Sequence, residues 1–195
     1  TYTLNKIIKT FHLGSFLSLG LVLTGTLIVS PMHILIMVLA NDLVSMSLTT
    51  DRVQPSPRPN QWRSMPLIIC GFVIALGWLG FSFGIFFIGH NVLSLDANHL
   101  DTLMFVMLVF IAISNVYLIR ERRLCWHSYP SKWLVLASVI DVVVISILAV
   151  NGILMVALDL VLILELLLIT VGFMLLLDIL KVWLFQRFEI QQVSP

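Results

Sequence analysis

Six apolar runs, each close to the ~20 residues needed to cross ~30 Å of hydrocarbon, leave this chain little choice but a bundle of membrane helices. The runs cover residues 11–29, 32–48, 65–88, 102–119, 133–150 and 153–177. Hydrophobic residues fill 59% of the 195 positions and charged residues only 11%, too few charges to clothe a water-soluble domain of this size. Only Ser30-Pro31 parts the first two runs and only Asn151-Gly152 the last two, so tight turns between antiparallel helices are expected there. The expected fold is all-α, a polytopic six-helix transmembrane bundle.

The eleven Lys and Arg residues orient that bundle. Lys6 and Lys9 precede the first span; Arg52, Arg58 and Arg63 fill the second connection; Arg120, Arg122, Arg123 and Lys132 fill the fourth; Lys181 and Arg187 follow the last span. All fall on one side, and the opposite connections, including residues 89–101, carry none. The positive-inside rule then puts both termini in the cytoplasm. A stalk end at 1–10, a transmembrane domain at 11–184 and a cytoplasmic tail at 185–195 follow. Because the chain opens on Thr1 with a short polar helix running into the first span, it reads as cut from something longer, and no signal-peptide pattern is present.

A net charge of +1 made of juxtamembrane bases offers no soluble basic face, which argues against nucleic acid and leaves the lipid bilayer as the expected surroundings. Cys70 and Cys125 fall near or beyond cytoplasmic helix ends, where a structural disulfide is not expected. Neither has metal-ligand spacing, since Cys125 and His127 stand alone as a pair.

Asn41-Asp42 breaks the second apolar run. Counted from Pro31, Asp42 lies about 16 Å along a helix, near the middle of the hydrocarbon layer. An aspartate there costs about 2.5–3.5 kcal/mol on insertion scales, so such groups usually face a cavity or partner and mark an ion path. Its short side chain cannot reach the interface, so it must be hydrated, protonated, paired or bound to an ion. Ser45 and Thr49 share its helical face at i+3 and i+7, extending a polar stripe toward the cytoplasm. The alternative is that Asn41 and Asp42 are interhelical hydrogen-bonding glue, although an amide alone would serve that purpose.

The remaining polar residues divide the same way. His12, in the first span, is a proton-relay candidate or a packing residue. Asp141 and Glu165 lie deep in the fifth and sixth spans, where each could join an ion path or tie the two helices together. Asp159 lies near the outer turn, and Asp178 pairs at i+3 with Lys181. Gly14, Ser18 and Gly25 form a rough stripe on the first span, and Gly80 and Gly84 make a GxxxG match in the third, both expected to favour close helix approach. Pro55, Pro57 and Pro59 make the loop after Asp51-Arg52 a stiff strap.

The stretch from Asn41-Asp42 through Asp51-Arg52-Val53 and Pro55-Ser56-Pro57-Arg58-Pro59 to Trp62 resembles the sixth transmembrane helix and exit loop of P-type ATPases of the plasma-membrane proton-pump class. Arg120-Glu121-Arg122-Arg123 with Trp126, Pro130 and Ser131 looks like that family's loop between helices eight and nine, and 177–181 like the end of its last helix. The resemblance covers essentially the whole chain, as helices five to ten. It implies that Asp42, beside Asn41, accepts and releases the transported cation, with the proton as the favoured ion.

It also implies partners outside this sequence: the first four helices and the cytoplasmic domains that use Mg-ATP, in a plasma-membrane protein, the inner membrane in a bacterium. The sequence holds no Asp-Lys-Thr-Gly-Thr, Thr-Gly-Glu or glycine-rich nucleotide motif, so it contributes no catalytic residue or cofactor site of its own, and enzyme activity would belong to the parent. Two positions depart from the plant and fungal pattern: Leu43 replaces a glycine, and the first span lacks an arginine, offering only Lys9 and His12 nearer the cytoplasm. These departures fit a bacterial relative better, and imply that Asp42 has no positive counter-charge at its own depth. The competing reading is a non-enzymatic or channel-like membrane bundle whose buried acids are packing glue.

Overall fold

A computed structural model describes residues 2–47, 64–121, 124–125 and 129–187. Among the described residues it contains six α-helices and no strand: α1 (Tyr2–Thr24), α2 (Pro31–Ser47), α3 (Ser64–Phe87), α4 (Ala97–Arg120), α5 (Lys132–Asn151) and α6 (Leu160–Arg187). Successive helices alternate in direction, so the most extensive contacts, α1 with α3, α4 with α6 and α2 with α4, join helices that run the same way. Asn5, Gly71, Asn115 and Lys181 gather at the end of the bundle that holds both termini, and Ser30, Gly89, Asp101 and Val156 gather at the opposite, or far, end.

Five of the helices are long and apolar enough to cross a membrane; α2 is shorter, and its apolar stretch, Pro31–Asp42, ends on the acid itself. Large apolar side chains such as Val139, Ile140, Val143, Leu164 and Leu168 face outward on α5 and α6, where only lipid or another apolar surface is a favourable neighbour. α4 is the hub, touching each of the other five helices and buried along almost its whole length. A helix apolar on every side suits that central place.

Local chemistry sets the ends. Gly25 stops α1 by adopting φ +72°, with its N–H on the Leu21 carbonyl at 2.9 Å. The first helix therefore ends short of residue 29, and residues 25–30 form a loop that turns Ile28 and Val29 into the core. Ser30 and Pro31 then open α2: Ser30 Oγ accepts the His33 N–H at 3.4 Å, and Pro31 lacks the N–H that a first-turn residue would leave unpaired. Gly152, at φ +65°, ends α5. Instead of entering the next helix at once, residues 152–159 form a loop, and Asp159 caps α6 by accepting the Val161 N–H at 3.2 Å. α6 then continues ten residues beyond the expected 177.

The glycines that matter are not the expected ones. A Cβ on Gly14, Gly80 or Gly84 would meet nothing within 4 Å, and Gly25 lies in a turn, so neither the first-span stripe nor the GxxxG match forms a contact among the described residues. Close approach occurs instead at Gly71, against Leu4, and at Gly77, where a Cβ would stand 2.7 Å from Leu177 Cδ2. Gly77→Val is expected to destabilise the protein by about 1–3 kcal/mol through overpacking, whereas Gly80→Val should cost far less. Thermal inactivation in detergent compares the two, and equal effects would contradict this packing.

α6 is fastened at the termini end by the expected Asp178 and Lys181 pair, which proves to be fully buried. Lys181 Nζ donates to Asp178 Oδ1 at 2.6 Å and to the Leu118 and Glu121 carbonyls at 2.7 and 2.8 Å, while Asp178 Oδ2 accepts the Cys125 N–H at 2.7 Å. Cys70 and Cys125 are both free thiols. Partial burial, and then the neighbouring Asp178 charge, push the Cys125 thiol pKa up.

Candidate ion site

A cavity of about 200 Å³ lies between α1, α2, α3 and α4. Its polar wall is made by Lys9, Thr10 and His12 from α1, Asn41 and Asp42 from α2, and Asn115 from α4; Trp78, Met37 and Leu108 contribute to the rest. Lys9 Nζ stands 3.4 Å from Asn41 Oδ1, and its ammonium interacts electrostatically with Asp42. The expectation of an acid without a counter-charge at its depth is thus corrected. α1 is already helical at Tyr2 and its apolar part begins at Leu4, so Lys9 sits within the span rather than beneath it, and its stem carries the charge into the cavity.

The place of Lys9 on the cavity is not what its position in the sequence suggests. The apolar run that starts at Phe11 continues upstream through Leu4, Ile7 and Ile8, with Ile8 in the core. Those three residues were the available signal.

A hydrogen-bonded chain supports the cavity from the termini end. Trp78 Nε1 donates to Asn115 Oδ1 at 3.2 Å, and Asn115 Nδ2 donates to Asn5 Oδ1 at 2.7 Å, tying α3, α4 and α1 together. All three side chains are buried. His12, also buried, is fixed by Ser82: the Ser82 hydroxyl donates to the Trp78 carbonyl at 2.9 Å, and His12 Nε2 meets Ser82 Oγ at 2.8 Å. With the hydroxyl proton directed at Trp78, His12 Nε2 is the donor to Ser82 Oγ.

The expected residues are only partly brought together: His12, Asn41 and Asp42 share the cavity, and Asp141 and Glu165 do not. Asp42 is exposed on the open side of the cavity and Asn41 is half-buried beside it. Ser45 belongs to α2, but its side chain lies outside the described residues, as do Thr49 and the strap from Asp51 to Trp62. Asp141 is buried on α5, outside the cavity wall, and shares an electrostatic interaction with Lys9; its Oδ2 has no hydrogen-bond partner among the described residues. Glu165 is exposed on α6 and does not line the cavity. The arrangement can hold a small cation or proton at one carboxylate, with an amide beside it and an ammonium on the opposing helix.

No family model matches the chain. Over 191 residues, or 97% of its length, it is 25% identical to the protein named "Putative cation-transporting ATPase MJ1226" from Methanocaldococcus jannaschii. It spans 24% of that relative, so the similarity is to one part of a longer protein.

Proposed function

We propose that this chain is the membrane, ion-translocating part of a P-type ATPase that moves cations, with the proton as the favoured ion and Asp42 as its carrier. The observation that carries the reading is Asp42 itself, a carboxylate at the end of an apolar helical stretch, on a cavity it shares with Asn41 and Lys9. The likeness to a protein named as a cation-transporting ATPase, together with the membrane-length helices, supports the coarser part of it. The one-sided distribution of bases supports termini in the cytoplasm of a plasma-membrane protein. The catalytic part would come from the rest of the parent, where Mg-ATP is used and the first four helices close the open side of the cavity.

Proton carriage needs one titratable carboxylate and a means of expelling the proton, and on this reading Asp42 is the first and Lys9, on the same cavity, the second. Asp42 in its neutral form holds the proton. When a conformational change brings the Lys9 ammonium closer, the ionised form is favoured and the proton leaves; when Lys9 withdraws, the carboxylate can be reloaded. Cycles of phosphorylation in the cytoplasmic domains would drive that movement through α1, whose first residues lead to the stalk.

Vanadate-sensitive ATP hydrolysis and vesicle acidification by the full-length parent test the assignment, with potassium, sodium or calcium as the sole added cation beside magnesium. The expected result is acidification without need of any particular one of the three. Absent vanadate-sensitive hydrolysis would overturn the ATPase reading, and a strict requirement for sodium or calcium would reassign the cargo. Lys9→Met should lower the maximal transport rate about tenfold or more, the effect of ~1.4 kcal/mol in the release step, while Lys9→Arg retains most of it. A Lys9→Met protein that pumps normally would remove the counter-charge from the mechanism.

The direct contact between Lys9 and Asn41 also suits a second reading, in which the polar residues join α1 to α2 as packing glue in a non-enzymatic bundle. In that case Lys9→Met would lower thermal stability, and the protein would show no ATP-driven transport to lose.

A further inference from the structure

A second titratable group lies at the far end of the bundle, outside the Asp42 cavity. His33, in the first turn of α2, is only 4% exposed, and each of its ring nitrogens faces an acceptor. Nδ1 stands 3.0 Å from Asp101 Oδ1 at the start of α4, and Nε2 stands 3.3 Å from the Leu154 carbonyl in the 152–159 loop. Asp101 Oδ1 also accepts the Ser30 N–H at 2.8 Å, from the residue that caps α2. A neutral imidazole has one N–H and can serve only one of its two partners, whereas an imidazolium serves both.

We propose that His33 is a proton-binding latch: protonated, it ties the start of α2 to the start of α4 and to the 152–159 loop, and loss of the proton releases the loop.

Two further features fit this role. Leu154 adopts φ +65°, a left-handed conformation that a leucine holds only when its surroundings impose it, and that conformation accompanies the carbonyl placed on His33 Nε2. The ring also stacks on Phe105 of α4, with centroids 5.0 Å apart and planes inclined by 28°, a face on which a cationic ring is favoured. The loop is also tied to α4 at this end by the Val156 N–H, which donates to Thr102 Oγ1 at 3.2 Å.

The charged groups of the surrounding elements leave Asp101 as the partner in contact with the ring. On α2 itself Asp42 lies nine residues away, about 13 Å along the helix. On the approach to α4, Asp96 bonds His99, both exposed. Asp159 at the end of the loop caps α6, His90 after α3 is exposed and stacks on Phe86, and Asp141 of α5 interacts with Lys9. The latch therefore acts on the helix that carries Asn41 and Asp42, but at its other end, and it stands whether or not Asp42 carries a proton.

Hydrogen exchange of the 153–158 amides, measured on the full-length protein in lipid nanodiscs and corrected for intrinsic rates, tests the proposal. Between about pH 5 and 8, the range in which histidines commonly titrate, protection in the wild type is expected to fall about tenfold or more as pH rises. His33→Gln, which has one donor-bearing end, should show low protection at every pH. Asp101→Asn removes the negative partner and should move the loss of protection to lower pH. Should His33→Gln fail to fold, nitrogen-15 spectra of labelled histidine in the wild type decide the matter, both ring nitrogens of His33 being protonated at the acid end and one at the alkaline end. Protection that ignores pH in the wild type, an unchanged pH response in His33→Gln, or a His33 ring already neutral at the acid end would overturn the latch.

Discussion

Lys181→Met is expected to destabilise the protein by about 3–5 kcal/mol, the usual result of removing one partner from a buried ion pair. The ammonium is fully buried and donates to Asp178 Oδ1 and to the carbonyls of Leu118 and Glu121. Those two carbonyls belong to the C-terminal end of α4, where the helix has no further amides to offer them. Methionine fills the space of the lysine stem but donates nothing. The Asp178 carboxylate would then remain buried on the Cys125 N–H, with two carbonyls left unserved. Replacing both partners, as Asp178→Leu with Lys181→Met, removes the stranded charge and should recover part of the loss. Thermal inactivation of the detergent-solubilised protein measures both variants. A single variant within about 1 kcal/mol of wild type would mean that this pair behaves as a surface ion pair does.

Much of this architecture is legible in the sequence because hydrocarbon restricts the choices. Spans of the right length can hardly be anything but helices, and the helices found do follow the six apolar runs. Their ends were harder to read, because apolar residues continue through the connections. Ile28 and Val29 read as helix, yet they pack from a loop after Gly25, and Leu154 and Met155 read as the start of a span, yet they precede the Asp159 cap. Hydropathy registers the burial of Ile28 and Val29, says the same of Leu154 although its side chain is exposed, and is blind to the backbone conformation of all four.

The same blindness shaped the site. Asp42 and Asn41 announced themselves as polar residues in an apolar run, and the structure sets them on a cavity. Lys9 was harder to place, because a lysine near the end of an apolar run ordinarily marks the interface, and only the packing of α1 on α3 and α4 shows how deep it sits. Asn115 and Asn5 were missed because their meaning lies in a contact between helices that are distant in sequence. Glu165 illustrates the converse, an acid conspicuous in the sequence that the fold leaves outside the cavity wall.

Asp42→Asn is the change expected to affect transport most. The amide keeps the shape and the hydrogen-bonding capacity of the acid, and it removes the ability to ionise, so a role in packing should survive and a role in carrying a proton should not. The Lys9 ammonium would also face a cavity without its carboxylate, which makes entry of any cation less favourable. Folding should be little disturbed, since Asp42 is exposed on the open side of the cavity rather than packed in the core. The decisive measurement is ATP-driven acidification of sealed vesicles carrying equal amounts of full-length wild type or Asp42→Asn, with thermal stability checked on the same preparations. The expected result is acidification in the wild type and a loss of about tenfold or more in the variant, equivalent to at least ~1.4 kcal/mol, at unchanged stability. Acidification by Asp42→Asn at the wild-type rate would contradict the assignment of Asp42 as the carrier.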